Sequence, residues 1–440
     1  MKRVIAGAVA LLLAGSASAA MEPKAAVQAV DAQIAKDWPK LDALYKDIHA
    51  HPELAFQEVH AAATLAKEMR ALGFTVTEGV GKTGVVAILK NGDGPTILVR
   101  TEMDGLPMEE KSGLAYASRV QVETAGGGKS FVAESCGHDN HMAWWIGTAR
   151  ALVAMKGQWK GTLMFIAQPA EEVGQGARAM LADGLFTKFP KPDYAIAAHV
   201  GSGLAGTVGV KDGAATSNSD TLEITFKGRG GHGSMPSATI DPIVMGAHFV
   251  SDVQTVISRE REAASFGVVT VGSFQAGTVA NIIPDTALVK LSIRSFSPEV
   301  RAKLLDGVTR TARGAAVMAG APEPEIANRG ENHAVINDHK LAVDAADYLT
   351  KAGGDTISYV RPELPGWSAS EDFSAYVEQG VPGLFYSIGG YDAEVLADYA
   401  KKGQAVPTNH SPFFAPDHDK AIRTGVRTLA LTVLMLAGTN

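Results

Sequence analysis

The sequence predicts an α/β protein: a mostly parallel sheet with helices on both faces, carrying an inserted ferredoxin-like β-α-β-β-α-β unit. Three observations predict it. Short apolar runs of β type alternate with helical runs between about residues 75 and 199, the pattern of a sheet buried on both sides. From about residue 217 the order becomes strand, helix, two strands, helix, strand. After about residue 330 the first alternation resumes, so the second pattern interrupts it.

The chain opens Met1-Lys2-Arg3, runs apolar to Ala14 and reaches Ala17-Ser18-Ala19. A positive start, a short apolar stretch and a small-residue end describe a secretory signal peptide cut near Ala19. Loss of Lys2 and Arg3 takes the formal charge from −7 to −9. That acidic balance argues against nucleic acid or an anionic membrane as partner, and no later run is long and apolar enough to span a bilayer. The expected location is exported, periplasmic or secreted. Residues 26–48 and 58–72 read as helices, and 75–78, 84–89 and 95–100 as strands. A strand at 161–167 ends at Gln168-Pro169-Ala170-Glu171-Glu172, and one at 194–198 ends at His199. The interrupting unit reads as strand 221–227, helix 241–259, strands 267–271 and 287–294, helix 298–318 and strand 324–327. The expected division is 1–19 leader, 20–214 first part of the main domain, 215–329 insert, 330–440 second part. In parallel sheets ligands bind beyond the carboxyl ends of strands, where Asp104, Glu171, Glu172 and His199 fall.

Cys136 is the only cysteine, so it forms no internal disulfide in an oxidising compartment. His138 stands two residues on, and a thiolate with an imidazole suits a borderline-soft cation such as zinc. That spacing places both on a loop, with Asp139 or Asn140 expected to cap the helix that follows. The bland alternative is a buried cysteine beside chance histidines. Glu171 and Glu172 are adjacent carboxylates at a strand end, a repulsive arrangement unless a cation relieves it, although helix N-termini also collect acids. His199 and His410 each read alone as structural histidines. Together, Cys136, His138, Glu172, His199 and His410 supply S, N and O ligands for two close cations and leave Glu171 over as a base.

These residues carry a resemblance. The motifs His49-x-His51-Pro52-Glu53-Leu54, Arg100-x-x-Met103-Asp104-x-Leu106-Pro107, Cys136-Gly137-His138-Asp139-x-His141 and Gln168-Pro169-Ala170-Glu171-Glu172 occur in order. Gly231-His232-Gly233-Ser234, Asn281-Ile282-Ile283-Pro284, Glu371-Asp372-Phe373 and Asn409-His410-Ser411-Pro412 follow. The chain resembles the metal-dependent amidohydrolases that include hippurate hydrolase, N-acyl-amino-acid amidohydrolase, auxin-conjugate hydrolase and aminobenzoyl-glutamate hydrolase. These belong to the wider aminoacylase and glutamate carboxypeptidase superfamily.

The resemblance implies a zinc-exopeptidase-like catalytic domain with the insert as a lid that dimerises. It implies two divalent ions, zinc or manganese with cobalt or nickel as further options, on Cys136, His138, Glu172, His199 and His410. Glu171 becomes the general acid/base acting on a metal-bridged water, and Asp104 a carboxylate that orients a ligand histidine. His232 is expected to reach the partner chain's site and stabilise the oxyanion. Asn281 and Arg294 are expected to hold the carboxylate of an N-acyl amino acid or short peptide. Glu102 stands where the family commonly has Asp and Asn140 where it has Gly, and Val200-Gly201-Ser202 lacks the bulkier residues usual after that histidine.

Three rival readings exist. Gly228-x-Gly230-x-x-Gly233 after a strand matches a dinucleotide fingerprint, but Met235-Pro236 follows in place of a helix. Cys136 with His141 or His199 suits a thiol hydrolase. Glu102 and Asn140 hint at a non-catalytic, metal-binding relative.

Overall fold

The computed structural model describes residues 21–123 and 127–438; the expected leader, residues 1–19, lies outside them. The first helix, Pro23–Ala50, starts where the Glu22 carboxylate accepts the Ala25 amide and Pro23 supplies a preset φ. Val30, Ile34, Leu41, Tyr45 and Ile48 recur at helical spacing and are buried. None of the described helices is long and apolar enough to cross a membrane.

The central sheet has eight strands in the order Thr75–Val80, Gly84–Asn91, Gly161–Gln168, Thr96–Glu102, Tyr194–Leu204, Gly383–Tyr391, Thr207–Lys211, Thr356–Val360. Its middle four are mutually parallel, as is the pair of the last two. Antiparallel pairs flank that centre. Ile97 and Val99 point into one core and Leu98 into the other, so the period of two divides each strand between two helical layers. One layer includes Pro23–Ala50, His138–Ala154, His339–Ala352 and His418–Ala437; the other includes Gly176–Ala182 and Ser374–Val377. The strand expected to stop near His199 continues to Leu204, because the glycine-rich end still pairs with Gly383–Tyr391.

A second, wholly antiparallel sheet has the order Gly267–Ala276, Thr286–Ser295, Asn218–Lys227, Glu325–Asn332. Leu222, Ile224 and Phe226 alternate inward against Pro242–Asp252 and Pro298–Met318, which is the ferredoxin-like arrangement. The helix expected over 241–259 ends at Asp252, and a wider turn covers Val256–Glu260. The chain enters and leaves this unit through two neighbouring crossings. Thr216 Oγ1 accepts from the Val335 amide and Asn218 Oδ1 from the Ala334 amide, both at 3.0 Å. The stretch Gly228 to Gly233 leads into the short strand Gly231–His232 and no helix, so the dinucleotide reading has no structural support.

Candidate metal centre

The parallel centre of the sheet brings three strand ends to one edge. Thr96–Glu102 delivers Glu102 and, two residues on, Asp104; Gly161–Gln168 leads to Glu171 and Glu172; Tyr194–Leu204 carries His199. His138 is the first residue of the helix His138–Ala154, and its N-cap is Gly137 in the left-handed region at φ 96°, with no capping side chain. The expected cap at Asp139 or Asn140 is therefore corrected: both lie inside the first turn, and glycine alone makes the entry. A Cβ at 137 would collide with Val200. Asn140 has no left-handed backbone, so nothing in this turn requires glycine there.

Two non-glycine residues beside the site also have positive φ, Ala170 at 52° and His410 at 67°. Such backbone persists where its surroundings over-determine it. The Ala170 amide donates to Glu58 (2.8 Å), and the Glu171 and Glu172 amides donate to the two Asp104 oxygens at 2.9 and 3.0 Å. The His410 amide donates to the Ser135 carbonyl (2.8 Å), while Asn409 Nδ2 bridges the Cys136 and Val200 carbonyls at 2.7 and 3.0 Å.

The five expected ligands lie close together, and His199 groups most tightly with Glu102, His138 and His141. Cys136 Sγ lies 3.4 Å from His199 Nε2, and His410 Nε2 lies 3.2 Å from Glu172 Oε2. His138 Nε2 is 3.9 Å from Glu171 and 4.0 Å from Glu172. Cys136, Glu172 and His410 offer ligand atoms within 4.8 Å of one another, as do His138, Glu171 and Glu172. His138 Nδ1 faces the backbone carbonyl of Asp104 at 2.6 Å, whereas the Asp104 carboxylate stands 3.8 Å away. The orienting contact expected of that carboxylate is thus made by the main chain, and the carboxylate holds the Glu171-Glu172 turn instead.

The electrostatics fit divalent cations. Burial, then the neighbouring His141 and His199, hold His138 well below the usual histidine range; burial and His141 pull His199 down to about 3. Both rings are neutral and keep lone pairs. Burial, then Glu172 and Glu171, push the Cys136 thiol up, and burial with Glu371, Glu172 and Asp372 pushes Glu171 up. Buried His138 Nε2 and Glu172 Oε1 have no hydrogen-bond partner among the described residues. A buried excess of carboxylate with orphaned ligand atoms is the environment a cation neutralises.

Sequence reasoning weighed His141 only as a thiol partner of Cys136 and gave Arg100 no role. His141 Nε2 accepts from the Val200 amide at 2.9 Å, and its Nδ1 stands 3.0 Å from Glu102, so it ties the His199 strand to Glu102. Arg100, wholly buried, pairs with Glu102 (2.7 Å), Glu371 (2.6 Å) and Asp372 (3.1 Å). A cation directly after the buried apolar run Ile97-Leu98-Val99 signals buried acids around it, and Glu371-Asp372 joins Glu102 in answering it.

A cleft of about 1260 Å³ opens over the centre, with Cys136, Glu171, His199 and His410 on one wall and Arg294 of the second sheet on the other. Arg294 Nη1 is buried with no partner among the described residues. His232 and Asn281 are exposed, adjacent on the short ladder of Gly231–His232 with Ile282–Ile283, and do not line this cleft.

The profile of peptidase family M20/M25/M40 matches residues 98–434. N-acetylcysteine deacetylase of Bacillus subtilis is 35% identical over 353 residues, 78% of this chain and 86% of that one. Hippurate hydrolase of Campylobacter jejuni is 35% identical over 336 residues, 75% and 83% of the two chains. A dinuclear metal-binding peptidase of the M20 family from Bacillus subtilis superposes with a TM-score of 0.73 at 29% identity, covering 91% of this chain and 98% of that one. Fold and site together define a metal-dependent hydrolase of amide bonds. The chain belongs to peptidase family M20/M25/M40.

Proposed function

We propose that the protein hydrolyses the amide bond of N-acyl amino acids, or of short peptide-like substrates, that keep a free carboxylate. The observation that carries this reading is the unpartnered Arg294 guanidinium across the cleft from Glu171, a bidentate receptor for a planar anion. The names of the relatives, a deacetylase of an N-acetyl amino acid and a hippurate hydrolase, support it.

Cys136, His138, Glu172, His199 and His410 would hold two divalent cations, zinc or manganese first. Such cations, when bound, polarise a carbonyl oxygen and lower the pKa of water. Glu171 takes a proton from the attacking water and passes it to the departing amine nitrogen. Its upward shift from burial and neighbouring carboxylates suits a group that both accepts and returns a proton. Asp104 fixes the turn that aims Glu171. His232, exposed on its own chain, would be delivered to the oxyanion of a partner's site in a homodimer, with Asn281 assisting Arg294 at the carboxylate. The leader-like start of the sequence supports export to the periplasm or medium.

Cys136 and His199 have the separation of a thiol–imidazole pair, but the thiol is pushed up and the ring held neutral. Proton transfer between them runs uphill, against nucleophilic cysteine. Treatment with a chelator should abolish turnover of N-acyl amino acids and added zinc or manganese should restore it; turnover indifferent to chelation would overturn the reading. Glu171→Gln should keep its metal and lose about 10²–10⁴-fold in kcat, and wild-type turnover would remove Glu171 from the mechanism.

A further inference from the structure

Beside the main cleft lies a second cavity of about 410 Å³, between Tyr194–Leu204, Gly383–Tyr391, Thr207–Lys211 and the segment around Trp367. His199, Ser202, Trp367 and Phe385 line both spaces, so the cavity adjoins the metal centre. Trp367 stands edge-on to the His199 ring with centroids 5.0 Å apart. Gly201 and Gly203 put no side chain into it, and Val360, Pro365, Thr207, Ser358 and Ser387 complete its walls.

Its charge identifies its occupant. Apart from His199, the only ionisable side chain lining it is Lys211, whose ammonium already donates to the carbonyls of Asp212, Arg361 and Pro362. No free cation is left there among the described residues to receive a carboxylate, and Arg294 lines the main cleft and not this cavity. A water takes about 30 Å³ of liquid and an acetyl group only about two such volumes, so 410 Å³ is far more than acetyl fills. We propose that this cavity is the acyl subsite, and that it takes an aliphatic acyl chain of medium length. The inference rests on the reading above that N-acyl amino acids are the substrates.

The test is a series of N-acetyl, N-butanoyl and N-hexanoyl derivatives of one amino acid, assayed with the metal-loaded enzyme. Burial of each added methylene should raise kcat/KM by about threefold to fourfold. A Cβ at Gly201 meets nothing nearer than Trp367 at 3.9 Å, and one at Gly203 nothing nearer than Gly389 at 3.5 Å, with no left-handed backbone at either. Gly201→Val therefore narrows the cavity without straining the chain, and its hexanoyl-to-acetyl ratio of kcat/KM should fall at least tenfold. Gly203→Val gives the same readout if the first variant does not fold. Hydrolysis of all three substrates at one rate, or a ratio unmoved in folded variants, would overturn the acyl subsite alone. Hydrolysis of none would overturn the N-acyl amino acid reading and this inference with it.

Discussion

Replacing Asp104 by Asn keeps the volume and shape of a buried side chain but changes what it can accept. The two carboxylate oxygens take the Glu171 and Glu172 amides at 2.9 and 3.0 Å, and an Asn offers one oxygen and one NH₂. Whichever way it is turned, one backbone donor then faces another donor. An unsatisfied buried N–H costs about 1–3 kcal/mol, and the turn can relieve that only by moving. A displacement of about 1 Å at a proton-transferring group costs about 10²-fold in rate, so kcat/KM should fall by about that factor. Loss of an outer partner of this kind also weakens metal binding by about 10–100-fold. Turnover of an N-acyl amino acid, and metal retained after dialysis against graded chelator, measure the two effects. Burial, then the charges of Glu172 and Glu58, push Asp104 up, against the two amide donors. If Asp104 acted as a neutral acid, Asn would imitate it and the variant would match the wild type in both assays. That outcome refutes the reasoning.

Arg100→Met leaves Glu102, Glu371 and Asp372 without their common cation; urea unfolding should show a loss of about 3–5 kcal/mol, and an unchanged midpoint would mean that the acids find another partner. His49 is buried between Asp139 (2.6 Å) and Glu110 (3.1 Å). Burial alone would lower its pKa, but the two carboxylates outweigh it and raise it to about 10. A raised pKa means that its stabilisation is complete below about pH 6.5, its unfolded value, and is lost as pH climbs towards 10. The stability gap between wild type and His49→Gln should therefore shrink between pH 6 and pH 10, and a gap constant with pH would contradict the ion pair. Arg294→Ala should raise KM about 10–100-fold for substrates with a free carboxylate and leave their methyl esters little changed. An equal loss on both would separate Arg294 from carboxylate recognition.

Much of the fold was legible because hydrophobic period and turn residues are local signals. The strand leading to Glu171-Glu172 was placed to within a residue, whereas the strand before Asp104 runs two residues beyond its expected end and the one carrying His199 continues to Leu204. What escaped was pairing at a distance. No local pattern says that the amide of Val200 meets His141 or that Arg100 meets Glu371, since these contacts come from strand order. The cap was misassigned because Asp139 and Asn140 are common capping residues, while Gly137 was chosen by crowding against Val200, a residue 63 positions away in sequence. His232 and Asn281 came from resemblance, and a single chain places them on the outside.

The two crossings between the sheets, at Thr216–Asn218 and Ala334–Val335, are stitched side by side by hydrogen bonds. Two straps side by side hold the second sheet to the first along one seam. They leave Arg294 and Glu171 facing one another across the cleft. A substrate that reaches both walls has to match that gap in length, so the seam acts as a ruler.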